Sequence, residues 1–412
     1  SVVGQVSLNL EWKKNVYPVE INDAVFSADG NFIYLAIGNT IQKMDAKTGE
    51  FLSLFDNTGV AAISELNLTE DGKTLMTKMA YKGINLWDTE LEKVVEFIKY
   101  EKKPGYDGVF TADISPDGSS IIAYFTEYMD LNNINGYIVK YDLKLKKDIF
   151  KSSIDKNTSI TKIAISHDGK YFATGTIYQE QTMDKFWHDR LILWNTETFT
   201  PIDTLEDIQT GNSSGGYRQL KFSYNNQYLG CLRISPIEVH IYDVKTNIRV
   251  KSSDGRSCLG FEFLPDSLSY LLAYYPFPEF YELNSNKYIG KADRWMGVLT
   301  SSTKTKQILA VNGDSLFLYS LPFTSVTDLL TSSPSFKINS LNGFIVFENK
   351  TLFGDINFAI SDILGKQIYE EKLITVMPNN IYQLKAALPS GLYICNITTK
   401  NKEYSQKIEI VR

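Results

Sequence analysis

The sequence predicts an all-β chain, built as a closed ring of four-stranded repeats with a small β-sandwich after it. Three observations predict this. First, one phrase recurs: AVFSADG ending at Gly30, LNLTEDG at Gly72, FTADISPDG at Gly118 and IAISHDG at Gly169. Weaker copies are LKFSYNN at Asn226, FEFLPDS at Ser267 and GVLTSST near Thr303. Second, a tag trails each copy: Met44-Asp45, Trp87-Asp88, Tyr141-Asp142, Trp194-Asn195, Tyr242-Asp243, Tyr281-Glu282 and Tyr319-Ser320. Third, the texture changes after Pro322, where a Ser/Thr-rich stretch gives way to a second set of short strands.

Leu66–Phe97 shows what one repeat is. LNLTEDG alternates apolar and polar residues, the mark of a half-buried strand, and its Asp-Gly suits a turn that needs positive φ. KTLMTKM gives a second strand, the run ending at Trp87-Asp88 a third, and a fourth starts near Lys93. Successive turns are spaced by 42, 46, 51, 57, 41 and about 37 residues. A period of ~40–45 residues with four strands each is the signature of propeller blades. The count is seven, so 1–322 reads as a seven-bladed β-propeller.

Residues 1–16 precede the first repeat, and VSLNLEW reads as a strand without a partner of its own. The seventh repeat runs out after its third strand, FLYSL. The N-terminal strand is therefore expected to supply the fourth strand of blade 7, since an open ring would leave an unpaired edge. The chain begins at Ser1 without Met, as removal of a signal peptide would leave it.

At 412 residues the chain exceeds what one hydrophobic core usually serves. Its net charge of −6 and lack of a basic run argue against a nucleic-acid partner. No apolar stretch approaches the ~20 residues of a membrane-spanning helix. Cys231, Cys258 and Cys395 lack metal-like spacing, and the histidines, His167, His188 and His240, are scattered. No metal and no cofactor is expected.

The SADG, SPDG and SHDG turns with their later WD, YD or WN tags resemble the WD40/YVTN-like propeller superfamily, over roughly residues 1–322. The Gly-His that opens a standard WD40 repeat is missing, so the likeness is to the looser bacterial propellers. It implies a fold and leaves function open.

Two blades carry insertions between their second and third strands: 126–136 in blade 3 and 177–190 in blade 4. Long connections also precede first strands at 99–109 and 206–216. Alternating strand direction puts both connection types on one face. This rim carries Tyr106, Tyr128, Met129, Tyr178, Phe186, Trp187, His188 and Arg190. Aromatics with Arg are the usual makings of a binding hot spot. The competing reading has these side chains fold back to cap their own loops. Glu127, Asp130, Asp184, His188 and Asp189 are the rim's acids and base, but their spacing shows no convergent acid–base pair. No Ser-His-Asp context, HExxH or phosphate loop appears. DLNNING lacks the oxygen-ligand spacing of a calcium loop.

Residues 323–340 read as a linker, and 341–412 as an immunoglobulin-like β-sandwich of six or seven strands. Here DILGK (362–366), LPSGLYICNI (388–397) and SQKIEIVR (405–412) closely resemble the type A C-terminal sorting domain of the Bacteroidetes type IX secretion system. Ser361 stands where that family usually has an aromatic residue. The resemblance assigns the sorting signal to Gly365, Lys366, Pro389, Gly391, Tyr393, Lys407, Ile408, Val411 and Arg412. It implies Sec export, recognition by the type IX translocon, and release or attachment at the outer-membrane surface. The expected function is non-catalytic binding of an extracellular protein or glycan, or a structural role. The rival is an extracellular enzyme of lyase, lactonase or glycosidase type, with its site at the channel mouth.

Overall fold

The recurrent phrase is a turn with a fixed hydrogen-bond set. Ser27, Thr69, Ser115, Ser166 and Ser223 each donate a hydroxyl to the Asp or Asn two residues on, at 2.6–2.8 Å. The same hydroxyl oxygens accept the amides of Phe32, Thr74, Ser120, Tyr171 and Tyr228, where the next strand begins. One side chain thus closes the turn from both ends. The following residue sits at positive φ: Gly30, Gly72, Gly118 and Gly169, with Asn226 in the degenerate copy. The Lys73 amide and Thr69 hydroxyl hold the Asp71 carboxyl below its ordinary range.

The second tag is a cap. Asp45, Asp88, Asp142, Asn195 and Asp243 end third strands, and each Oδ1 accepts amides of the following turn. Phe199, at φ 55, takes the left-handed position in blade 4 and is held by Phe150, Phe172 and Trp194.

The computed structural model bears out the all-β class; no helix occurs among the described residues. These are 5–6, 8–16, 21–55, 61–79, 82–99, 108–130, 133–180, 186–211, 215–253, 256, 258–265, 269–274, 277–283, 288–292, 297–312, 315–320, 336–341, 344–349, 354–362, 366–376, 381–389, 391–399 and 403–410. The chain divides into two compact units, Ser1–Val326 and Thr327–Arg412.

The first unit has seven antiparallel sheets, each ordered first to fourth strand. Blade 1 holds Ile21–Phe26, Phe32–Ile37, Thr40–Asp45 and Phe51–Phe55. Blade 2 holds Ile63–Leu68, Thr74–Met79, Gly83–Asp88 and Lys93–Lys99. Blade 3 holds Gly108–Ile114, Ser120–Asp130, Asn133–Asp142 and Lys147–Ile154. Blade 4 holds Thr158–Ile165, Tyr171–Gln179, Trp187–Asn195 and Thr200–Gly211. Blade 5 holds Tyr217–Phe222, Tyr228–Arg233, Val239–Asp243 and Arg249–Ser252. Blade 6 holds Cys258–Phe263, Ser269–Tyr274, Glu279–Glu282 and Tyr288–Ala292. Blade 7 holds Gly297–Ser302, Gln307–Asn312 and Ser315–Ser320.

The fourth strand of blade 7 is Asn9–Asn15, antiparallel to Ser315–Ser320. It starts three residues later than VSLNLEW, because Gln5–Val6 joins blade 6 instead, parallel to Tyr288–Ala292. Trp12 is buried and its indole N–H donates to the Ala46 carbonyl at 2.8 Å, tying blade 7 to blade 1. First strands of successive blades adjoin, including blade 7 with blade 1, so the ring closes. Aliphatic and aromatic clusters fill the spaces between blades, as Phe26, Leu35, Leu309 and Leu318 do between blades 1 and 7.

Gly72 tests the turn. Its φ is 72°, and a Cβ there would lie 2.9 Å from the Ala28 Cβ of blade 1. Gly72→Val is expected to lower stability by about 1–3 kcal/mol through left-handed strain and that clash. Urea unfolding reads this as a lower midpoint. A change within about 0.5 kcal/mol, the range of neutral surface substitutions, would count against it.

In the second unit, a three-stranded sheet holds Phe336–Leu341, Phe344–Asn349 and Ile381–Ala387. A four-stranded sheet runs Gln367–Val376, Gly354–Asp362, Gly391–Thr399, Glu403–Ile410. Ile345, Phe347, Ile356, Phe358, Ile360, Leu384, Cys395 and Ile397 fill the sandwich. Phe336–Leu341 pairs with Phe344–Asn349, so residues 336–340 are strand, not linker.

Candidate functional site

The blade 3 and blade 4 insertions are largely strand. In blade 3, Tyr128 pairs with Ile134 and Asp130 with Asn133, so this hairpin outgrows its blade. In blade 4, Gln179 pairs with Trp187, and the fourth strand continues to Gly211. Most of 206–216, expected as a connection, extends that strand. The alternation of His188 and Arg190 with buried Asp189 and Leu191 is strand periodicity continued past the usual blade height.

The tip of blade 4 gathers five of the expected rim residues. Tyr178 and His188 are cross-strand partners with rings stacked 4.6 Å apart. The Arg190 guanidinium lies 3.8 Å above the Tyr178 ring. His188 Nδ1 is 2.8 Å from Asp207 Oδ1, and its Nε2 is 2.9 Å from Glu180 Oε1. Arg190 Nε donates to Asp207 Oδ2 at 2.8 Å. Trp187 is half-buried, and its carbonyl accepts the Thr210 hydroxyl at 3.0 Å. The Phe186 carbonyl accepts the Glu180 amide, which closes the hairpin. Asp207 and Glu180 were not among the residues singled out; both become visible only once the strands are paired. Each exposed ion pair contributes ~0–1 kcal/mol. Their joint effect is to fix the rotamers of a planar cation–aromatic–imidazole stack.

The remaining expectations fall elsewhere. Asp189 points inward, buried, with Oδ1 accepting the Gly216 amide and Oδ2 3.4 Å from Arg233 Nη2. It is no rim acid, because it alternates with His188 and Arg190 along the strand. Tyr106 and Asp184 lie outside the described residues, as do the side chains of Glu127, Tyr128, Met129 and Asp130.

First strands carry a second charged set. Asp23 Oδ2 accepts the Leu66 amide at 2.8 Å, Glu65 Oε2 the Ala112 amide at 3.3 Å, and Asp113 Oδ2 the Ile165 amide at 2.7 Å. Thr161 and Gln219 continue the series with the Tyr217 and Phe261 amides. Each bond staples a blade to the next. Lys162 Nζ reaches Glu65 Oε1 at 2.7 Å from two blades away, and Lys221 pairs with Glu262. Burial pushes the Asp113 carboxyl up to about 7 and raises that of Asp23. These acids are occupied by main-chain amides and the lysines, which suits stapling better than proton transfer.

In the second unit, Asp362 exchanges two main-chain or carboxylate bonds with Lys366, the Lys366 amide donating to Oδ1 at 2.9 Å. Tyr393 is buried and donates its hydroxyl to the Pro389 carbonyl at 3.1 Å. Gly391 opens a strand paired with the last one, where Ile408 stands opposite Tyr393 and Lys407 opposite Ile394. Gly365, Val411 and Arg412 lie outside the described residues. Residues 332–411 match the family described as secretion system C-terminal sorting domain.

This segment is a type IX sorting domain.

The sorting domain follows a seven-bladed β-propeller. Among solved structures, a chain of the mitotic checkpoint complex is similar with a TM-score of 0.58 at 13% identity, covering 78% of this chain and 94% of that one. The Myceliophteria thermophila Cps50 (Swd1) β-propeller domain is similar with a TM-score of 0.58 at 14% identity, covering 76% of this chain and 99% of that one. At these identities the likeness is one of fold. No curated protein matches the chain. No helix among the described residues is long and apolar enough to cross a membrane. The sorting domain marks the chain for export to the cell surface or the extracellular space.

Proposed function

We propose that the propeller is a non-catalytic binding module, carried through the outer membrane by its sorting domain and displayed at the cell surface or released. The binding face is the tall rim of blades 3 and 4, and the partner is an extracellular protein or glycan. One observation carries this reading: the blade 4 hairpin rises past its blade and holds Tyr178, His188 and Arg190 as a prearranged stack. Aromatic faces beside a guanidinium and carboxylates bind sugar rings and protein side chains alike. Prearrangement reduces the ordering cost of binding. The enzyme reading finds less support, since the first-strand acids Asp23, Glu65 and Asp113 are engaged in joining blades.

The test is Tyr178→Ala with Trp187→Ala in the full chain, probed against glycan arrays and isolated outer-membrane and culture-medium proteins. Ligands of the wild-type protein are expected to lose at least about 30-fold in affinity, a hot-spot-sized effect, at an unchanged melting temperature. Unchanged binding removes the rim from the site. Unfolding of the variant makes the stack a packing element.

A further inference from the structure

Blades 4 and 5 enclose a polar cluster that neither the rim nor the sorting domain uses. Cys231 and His240 are direct cross-strand partners in the second and third strands of blade 5. Glu206 reaches them from the fourth strand of blade 4. All three are buried, at 0%, 2% and 4% exposure. Glu206 Oε1 lies 3.0 Å from Cys231 Sγ and 3.0 Å from His240 Nδ1, and the three donor atoms lie within 4.8 Å of one another. We propose that Glu206, Cys231 and His240 bind a divalent transition ion of the zinc class, clamping blade 4 to blade 5.

The donor set selects the ion. A thiolate, an imidazole and a carboxylate are zinc ligands, whereas calcium and magnesium take oxygen. Strands hold all three, so the donors are fixed before the ion arrives. The surroundings match those of a ligating histidine: its other nitrogen, Nε2, faces Glu238 Oε2 at 3.4 Å. Arg233 Nη1 in turn holds Glu238 at 3.3 Å. A carboxylate behind the imidazole helps to orient the ring. On its other side Nδ1 lies 3.0 Å from Glu206 Oε1, so a proton bridges the two atoms in the free site and the ion would take its place. The wider charge count agrees. Arg233 pairs with Asp189 and Glu238, and His240 lies between Glu206 and Glu238, so three carboxylates share one guanidinium and one imidazole. Buried carboxylates are costly to keep charged, and a dication among them lowers that cost. On binding, the Cys231 S–H bond breaks, the proton leaves to solvent, and the sulfur–metal bond forms without any change of oxidation state. Three protein donors leave a tetrahedral ion one position for water.

Cobalt is the probe, because its bond to a thiolate absorbs in the near ultraviolet. The full-length chain is stripped with a chelator and titrated with Co²⁺, then with Zn²⁺. The expected result is one Co²⁺ per chain with a thiolate-to-cobalt band, displaced by Zn²⁺, and a melting temperature raised by Zn²⁺. Cys231→Ser and His240→Gln are expected to abolish the band, and Cys258→Ser, another buried thiol, to keep it. Glu238→Gln is expected to weaken binding by about 10–100-fold. Absence of the band in the wild-type chain overturns the proposal, and this holds even if the variants misfold. A band that persists in Cys231→Ser overturns it as well, and the cluster is then a hydrogen-bonded joint between blades.

Discussion

Deletion of residues 405–412 is expected to abolish delivery to the cell surface and the medium while leaving the propeller folded. The deletion takes most of Glu403–Ile410, the edge strand of the four-stranded sheet. Gly391–Thr399 then becomes the edge, with its amides and carbonyls unpaired. The propeller belongs to the other compact unit and keeps all seven sheets. The truncated protein should therefore accumulate in the periplasm with the melting transition of the intact propeller, and its surface and medium fractions should fall at least tenfold. Fusion of 336–412, which now includes the first strand of the sandwich, to an unrelated exported reporter should carry that reporter across the outer membrane. Cell fractionation with antibody detection reads both. Normal levels of the truncated protein in the medium would remove the terminal strand from the signal.

Removal of residues 1–16 is expected to open the ring. Ser315–Ser320 would lose its outer neighbour, and Trp12 its place against blade 1. Removing a buried Trp costs about 3–5 kcal/mol by itself. That is a large share of the ~5–15 kcal/mol by which domains are stable. The freed strand edge is a template for pairing with a second chain. The truncated protein should melt many degrees lower and sediment as aggregates, while Trp12→Ala alone should lower stability by about 3–5 kcal/mol and remain monomeric. A monomeric truncation with an unchanged melting temperature would show that the strand is dispensable. Light scattering and calorimetry distinguish these outcomes.

The two strongest sequence signals are both turn chemistry, which is local. The Ser/Thr hydroxyls and Asp carboxylates of the recurrent phrase bond to partners within five residues, and the tag aspartates cap the next turn. Blade count followed from these alone. The degenerate copies weaken where Asn226 replaces glycine, and in blade 7 where a longer turn is closed instead by the Lys306 amide, at φ 56, on the Ser302 carbonyl. What escaped was non-local. The blade 3 and 4 insertions looked like loops because they interrupt the repeat length, yet paired strands only reveal themselves together. Nothing in their spacing links Asp207 to His188, or Glu206 to Cys231 and His240, since cross-strand and cross-blade geometry brings them together. Asp23 and Asp113 read as ordinary polar positions of alternating strands, although their acceptors serve the next blade.

The pairing of Asn9–Asn15 with Ser315–Ser320 also has a kinetic side. The two partners lie at opposite ends of the propeller sequence, so this contact carries the largest loop-closure entropy in the domain. A chain emerging from its N-terminus holds a strand without a partner until the last blade has been delivered. Ring closure is then a late event, and until it happens the nascent propeller presents two adhesive edges, one at each end. A cell that makes this protein must guard a long-lived open arc before it has a finished ring.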